Sequence, residues 1–288
     1  MTRRRLDAEL VRRGLVSSRE QGRAAIEGGR VSISGVTATK AATQVDDAAA
    51  IELVAEPGSD FVSRGAHKLI GALDAFGLDV RDANALDAGA STGGFTQVLL
   101  QRGARHVIAV DVGYGQLAWS LRSDDRVTVL ERTNVRHLDA SRDELPFPPD
   151  LVVADLSFIS LTAVLPALVT VAAPTANLVL MVKPQFEVGK ERVGSGVVTS
   201  PDLRREAVAR VVTAAEAEKL AIFGVAASPL PGPKGNVEYF LWMGKVGGDA
   251  AEPSEHDGAM EREYRVSAGL SAGEIESAIA RAVQEGPQ

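Results

Sequence analysis

Apolar residues over the first fifty positions recur in two rhythms. Leu6, Leu10, Val11 and Leu15 fall at helical spacing, with Gly14 near the end of that helix. Ser18 is placed to cap a second helix, Arg19–Glu27, in which Ala24, Ala25 and Ile26 are apolar. Gly28-Gly29 stops it, because a left-handed helix end strongly favours glycine. Short strands follow: Val31–Ile33, a turn at Ser34-Gly35, a segment through Lys40, and Ala50–Val54. Two short helices and a β-ribbon make a small α+β unit of about 50 residues, which buries little surface alone.

Beyond the polar stretch Glu56-Pro57-Gly58-Ser59-Asp60 the rhythm changes to strands alternating with helices, which predicts a mostly parallel α/β sheet. A helix is expected around Lys68–Phe76, a strand over Asn84–Asp87, a helix over Gly94–Arg102 and strands over Val107–Asp111 and Val127–Glu131. Strand Leu151–Asp155, helix Ser160–Val171 and strand Asn177–Val182 follow, then a Gly-rich loop and a helix over Pro201–Glu218. Ile222–Ser228 and Glu238–Gly244 read as an antiparallel hairpin at the sheet edge. Residues 247–260 are acidic and aperiodic, the pattern of a mobile loop. Ser271 with Glu274 forms a capping box that opens a terminal helix to about Glu285. The predicted division is a unit over 1–58, a linker over 59–62 and a large domain over 63–288.

Composition narrows the class. The 288 residues are 45% apolar and 24% charged and contain no cysteine, which excludes disulfides and thiolate metal sites. The first residues are charged and lack the apolar stretch of a signal peptide, and the longest apolar run, Leu178–Val182, is too short to span a bilayer. A soluble, intracellular (cytoplasmic) protein without a metal is expected. The net charge of −7 is uneven: residues 246–288 hold nine acids against three arginines, whereas residues 1–40 carry nine basic residues against four acids. The front is the basic end, as a nucleic-acid-binding unit would be.

The most informative segment is Leu86-Asp87-Ala88-Gly89-Ala90-Ser91-Thr92-Gly93-Gly94-Phe95-Thr96, which leaves a predicted strand and opens a helix. Glycines there let the backbone approach a ligand, and the helix start offers unpaired amides. A plain tight turn needs one glycine rather than three. The spacing also departs from G-x-G-x-x-G, which disfavours a dinucleotide. Some twenty residues on, a second strand ends in Asp111, placed to take two ribose hydroxyls of a nucleoside or simply to cap the next loop. Together these features point to S-adenosylmethionine, a nucleoside cofactor with no pyrophosphate to clamp.

Three later strand ends carry charge where a core gains nothing from it: Asp155, Lys183 and, if the last strand runs antiparallel, Glu238 at its start. Lys68 can reach the same edge from the first large-domain helix. Taken singly, a lysine at a strand end is usually just solvated, and Asp155 and Glu238 could be ordinary ion-pair partners. Converged, two lysines and two carboxylates would suit methyl transfer to a hydroxyl, a poor nucleophile that must be aligned opposite the sulfonium. A lysine flanked by a second lysine can serve as a base or a hydrogen-bond director, and the acids would orient the pair.

Lys68, Asp155, Lys183 and Glu238, with Asp-Ala-Gly-Ala-Ser-Thr-Gly-Gly-Phe, resemble the Lys-Asp-Lys-Glu tetrad and cofactor loop of FtsJ-like 2′-O-ribose methyltransferases. Segments Ser63–Leu69, Ala154–Ser160, Val182–Glu187 and Gly235–Phe240 are similar to the TlyA family, also called hemolysin A-like. The pattern from Leu6 to Val31 is similar to a small RNA-binding module shared with a small-subunit ribosomal protein. The resemblance implies a Rossmann-like class I methyltransferase fold, with a seven-stranded mostly parallel sheet and one antiparallel edge strand. It implies methylation of cytidine ribose in 16S and/or 23S ribosomal RNA, linked to capreomycin susceptibility; the hemolysin label is not matched by any amphipathic or apolar spanning segment, so a membrane-lytic mechanism is not expected. By position it makes Lys183 the central catalytic residue, with Lys68, Asp155 and Glu238 around it. Asp87, Gly89, Ala90, Ser91, Thr92, Gly93, Gly94, Phe95, Asp111, Asn134 and Asp155 are assigned to the cofactor.

Phosphate contacts are expected from Arg3, Arg4, Arg5, Arg19 and Lys40 on the front unit, and from Arg64, Arg132, Arg136, Lys190 and Arg192 on the large domain. For each of these a solvated charged face is the equal alternative. Phe158 is either a stacking surface for a displaced base or part of the core. Two rivals remain: a non-catalytic RNA-binding assembly factor on a methyltransferase scaffold, and a small-molecule methyltransferase, which would not need the front unit.

Overall fold

The computed structural model describes residues 3–245 and 269–287, apart from 14, 17, 47–48, 54–60, 142–144, 195 and 233. The proposed loop over 247–260, Gly14 at the end of the first helix and residues 59–60 of the proposed linker lie outside the described residues.

In the front unit, strand β1 (Arg4–Arg5) leads into helix α1 (Leu6–Arg12), followed by α2 (Arg19–Glu27), β2 (Val31–Ile33), β3 (Val36–Thr37), β4 (Gln44–Val45) and β5 (Ile51–Leu53). Ser18 caps α2 by accepting the Gln21 amide, as its hydroxyl and position require. The left-handed residue after α2 is Gly29, one position beyond the helix end at Gly28. Strand β2 pairs with β3 and β5, while β1 pairs with β4; β1 and β4, two residues each, carry too little alternation to be read in advance. Leu6, Leu10, Ile26 and Val31 form a small fully buried core.

The large domain runs α3 (Gly65–Phe76), β6 (Asn84–Ala88), α4 (Gly94–Gln101), β7 (His106–Asp111), α5 (Trp119–Arg122), β8 (Val127–Glu131), β9 (Leu151–Ala154) and α6 (Leu165–Val171). It continues through β10 (Asn177–Val182), α7 (Pro184–Glu187), α8 (Lys190–Val193), α9 (Pro201–Ala217), β11 (Leu220–Ala227), β12 (Tyr239–Lys245) and α10 (Ala272–Glu285). The expected helix over 160–171 is divided. A short 3-10 turn spans Leu161–Ala163, and the α-helix starts only at Leu165, where Pro166 can sit in a first turn that needs no amide from it. The loop expected after β10 contains two one-turn helices, the first opened by Pro184. The Ser271–Glu274 capping box is formed as predicted.

The seven strands are ordered β11-β12-β10-β9-β6-β7-β8. Only β12 runs antiparallel; it belongs to the hairpin at that edge and lies between β10 and the outermost strand β11. Alternate residues of the central strands are buried on opposite faces. Leu86, Ile108, Val152 and Leu180 pack with α6, α9 and α10, while Ala85, Val107, Val153 and Met181 pack with α3, α4 and α5. Burial on both faces explains why these strands read as continuous apolar runs. Pairing of Ala88 with Val110 and Ala154, and of Val182 with Tyr239, brings the ends of β6, β7, β9 and β10 and the start of β12 to one edge.

Leu168 of α6 is fully buried in the larger cluster. Leu168→Ala is expected to lower the unfolding free energy by about 2–5 kcal/mol, read as a shift of the denaturant midpoint with an unchanged slope.

Candidate active site

Two buried ion pairs occupy the edge where the strand ends meet. Lys68 Nζ donates to Glu238 Oε2 at 2.5 Å, and both side chains are almost wholly buried. Lys183 Nζ lies 2.5 Å from Asp155 Oδ1 and donates to Ser157 Oγ at 3.1 Å. Asp155 is the more open member of its pair, with 23% of its side chain exposed against 8% for Lys183. The four residues proposed from sequence are therefore drawn together as lysine–carboxylate pairs, so each lysine is flanked by an acid. Burial of a charge without such a partner is costly. Lys68 lies in the second turn of α3, since that helix begins three residues earlier than expected, and Glu238 immediately precedes β12.

Ser157 was missed, although the sequence held a signal: in an extended segment, residues two apart point the same way, which places it beside Asp155. Glu187 closes the segment Val182–Glu187 and is buried. It accepts hydrogen bonds from Ser160 Oγ and from the Leu161 amide at 2.8 Å, tying the loop after Lys183 to the loop after Asp155. Burial pushes its carboxyl up, opposed by those two hydrogen bonds.

The glycine loop packs against the same loop. A Cβ on Gly89, which has φ of +85°, would lie 2.9 Å from the Asp155 carbonyl oxygen. One on Gly94 would collide with Ser63 Oγ and lie 3.0 Å from the Ala66 amide, so glycine there allows α4 and α3 to approach. Asp111 accepts the Ser91 amide at 2.8 Å through Oδ2 and the Gly113 amide at 2.6 Å through Oδ1. It does cap its loop, and in doing so fastens the glycine turn to the end of β7. Each oxygen keeps a further lone pair for a hydroxyl. Ala90, Ser91, Thr92 and Gly93 form the turn itself, and Phe95 is buried behind it. Asn134 accepts the Arg136 amide at 3.0 Å and caps the 3-10 turn Val135–His137.

Exposed side chains surround this edge. Phe158 is 92% exposed, sits in the left-handed region and tilts against Phe186 with centroids 5.5 Å apart, so it is no part of the core. Arg132 lies over the Tyr114 ring at 4.3 Å. Arg64 and Arg136 are exposed. Arg192 pairs with Glu206 on α9 across both carboxylate oxygens, an internal partner that the sequence pattern did not show. The side chain of Lys190 lies outside the described residues. In the front unit Arg3 and Lys40 are exposed, whereas Arg5 and Arg19 converge on Asp7.

Asp87 lies fully buried at the base of the loop, with Oδ2 accepting Thr96 Oγ1 at 2.7 Å and Oδ1 without a hydrogen-bond partner. Burial, opposed by the Thr96 hydrogen bond, pushes its carboxyl up to about 7. Protonation therefore favours the folded state: this contribution is full below about pH 4, where the unfolded carboxyl is also protonated, and is lost as pH rises to about 7. Asp87→Asn keeps the Thr96 bond and removes the titration. The stability of the variant relative to wild type should rise between pH 4 and 7 and level off above, measured by thermal unfolding. A pH-independent difference would contradict this reading.

Both parts of the chain are similar to known proteins. The FtsJ-like methyltransferase family matches residues 61–245, and the S4 domain matches residues 4–51. The 16S/23S rRNA (cytidine-2′-O)-methyltransferase TlyA of Mycobacterium tuberculosis is 53% identical over 286 residues, 99% of each chain. Hemolysin A of Brachyspira hyodysenteriae is 36% identical over 82% of this chain and 97% of its own. A solved structure from Streptococcus thermophilus, named as a hemolysin, superposes with a TM-score of 0.71 at 34% identity, covering 99% of this chain and 97% of the other. An S4 RNA-binding domain joined to a sheet with paired lysines and acids at its edge, and full-length similarity of this order, lead to one conclusion: the chain belongs to the TlyA family of FtsJ-like methyltransferases.

Proposed function

We propose that this enzyme transfers a methyl group from S-adenosylmethionine to the ribose 2′-hydroxyl of cytidine in ribosomal RNA, 16S, 23S or both. The observation that carries the reading is the placement of Lys68–Glu238 and Lys183–Asp155 beside the glycine loop. Desolvating two ion pairs gains a fold little, and hydrophobic residues of similar volume serve stability as well or better. An assembly factor that kept only the scaffold would have no use for them.

The bare backbone at Gly89, the Asp111 carboxylate and the unpartnered oxygen of Asp87 make a donor and acceptor set suited to a nucleoside cofactor. S-adenosylmethionine, when bound there, supplies an electrophilic methyl group on a sulfonium. Asp87, Gly89–Phe95, Asp111, Asn134 and Asp155 are assigned to holding it. Lys183, steadied by Asp155 and Ser157, orients the 2′-hydroxyl as a hydrogen-bond donor or, once deprotonated, accepts its proton as the general base. Lys68 and Glu238 neutralise each other and wall the site. Phe158 offers an exposed ring for a displaced base.

In this reading residues 1–58 engage RNA, residues 59–62 link, and residues 63–288 catalyse. Arg3, Arg5, Arg19, Lys40, Arg64, Arg132, Arg136 and Lys190 face RNA. Such an enzyme works in the cytoplasm, and its loss would alter susceptibility to capreomycin. Among the described residues no helix is long and apolar enough to cross a membrane.

Lys183→Ala should lower methyl transfer to ribosomal subunits by about 10²–10⁴-fold, while cofactor affinity measured by calorimetry stays close to wild type. Transfer near the wild-type rate would overturn the assignment of Lys183.

A further inference from the structure

Asp7, in the first turn of α1, is fully buried, yet it serves three half-exposed arginines. Its Oδ1 accepts Arg5 Nε at 3.1 Å and the Ala8 amide at 2.9 Å. Its Oδ2 lies 3.0 Å from Arg5 Nη2, 3.0 Å from Arg19 Nη2 and 3.5 Å from Arg23 Nε. Arg19 and Arg23 stand one turn apart on α2 and bracket Gly22, where an added Cβ would lie 3.2 Å from the Asp7 carbonyl oxygen. Glycine at that position lets the two helices close, and the closure brings both arginines to the acid. Hydrogen bonding from Arg5, and then from Arg19, holds the Asp7 carboxyl far below its usual range despite burial.

Nearby Glu9 shows the contrasting arrangement. It is also buried and binds Arg12 and Arg13, but Arg13 turns inward to donate to the carbonyl oxygens of Ala49 at 2.7 Å and Asp46 at 3.2 Å. That cluster fastens the unit together. The Asp7 cluster instead leaves three guanidinium groups at the surface around one carboxylate, a local excess of two positive charges.

We propose that Arg5, Arg19 and Arg23 form one preassembled cradle for RNA backbone phosphates and that Asp7 is its positioning residue. The inference rests on the front unit binding RNA and adds Arg23 and Asp7 to that surface. A guanidinium presents five donors in a planar fork, so one edge can be held by Asp7 while another meets a phosphate oxygen. Holding three such side chains in advance removes ordering cost from binding.

The proposal makes a prediction opposite to that of net charge. Removing an acid from a phosphate-binding face should strengthen binding if only net charge matters. Here Asp7→Asn in the full chain should weaken binding to isolated 30S or 50S subunits about fivefold or more. Glu20→Gln, which removes an exposed acid of α2, should leave binding equal or tighter. Arg23→Ala should weaken binding and lower the slope of log affinity against log salt by about one. Circular dichroism and cofactor affinity report whether each variant is folded. A folded Asp7→Asn protein that binds as tightly as wild type or tighter would overturn the proposal. If that variant fails to fold, Arg19→Lys decides, since it keeps the charge and loses the fork: weaker binding supports the cradle and unchanged binding overturns it. A wild-type protein that binds neither subunit would instead remove the RNA reading on which the cradle depends.

Discussion

Burying a lysine ammonium group at the end of a β-sheet is costly unless a carboxylate lies beside it, and this constraint shapes the edge of the large domain. Asp155 reaches Lys183 because β9 and β10 are parallel neighbours that end at the same level. Glu238 must arrive from the other direction. A further parallel strand would bring its C-terminal end to this edge, whereas antiparallel β12 brings its start, one register step beyond the Val182–Tyr239 pair. The reversed strand is thus what allows a residue preceding a strand to meet Lys68 from α3.

The remaining parts of the edge follow from close approach. The glycine turn is fixed by backbone bonds to Val110 and by the Asp111 carboxylate, and it touches the Asp155 carbonyl directly. The glycine loop and the paired charges are therefore joined by direct backbone contact. Glu187 adds a second tie between the loops after β9 and β10. The front unit solves a similar problem on a smaller scale. Its two buried acids, Asp7 and Glu9, hold arginines in place in a core too small to do so by packing alone.

The strands of the large domain and most helices were legible because period-2 and period-3.6 patterns bounded by glycine and proline leave little ambiguity. Asp155, Lys183 and Glu238 were legible as strand-end anomalies and Lys68 as a helix residue within reach of that edge, but their convergence depended on an assumed direction for β12. What sequence did not show came from contacts between distant segments. Ser157 has meaning only once Lys183 is beside it, and Arg192 loses its availability to Glu206, fourteen positions away on another helix. The left-handed backbone that exposes Phe158 and the Asp7 cluster, joined across two helices, leave no periodic trace. The helix over 160–171 was overextended because its apolar spacing continues through a segment where Pro166 resets the start.

The central claim is that this edge aligns a ribose hydroxyl rather than a base nitrogen or carbon. Nucleoside mass spectrometry of ribosomal RNA, after the purified enzyme has acted on unmodified 30S and 50S subunits, tests it most directly. The account predicts 2′-O-methylcytidine, formed with the wild-type protein and absent with Lys183→Ala. A methyl group carried on a base would contradict it.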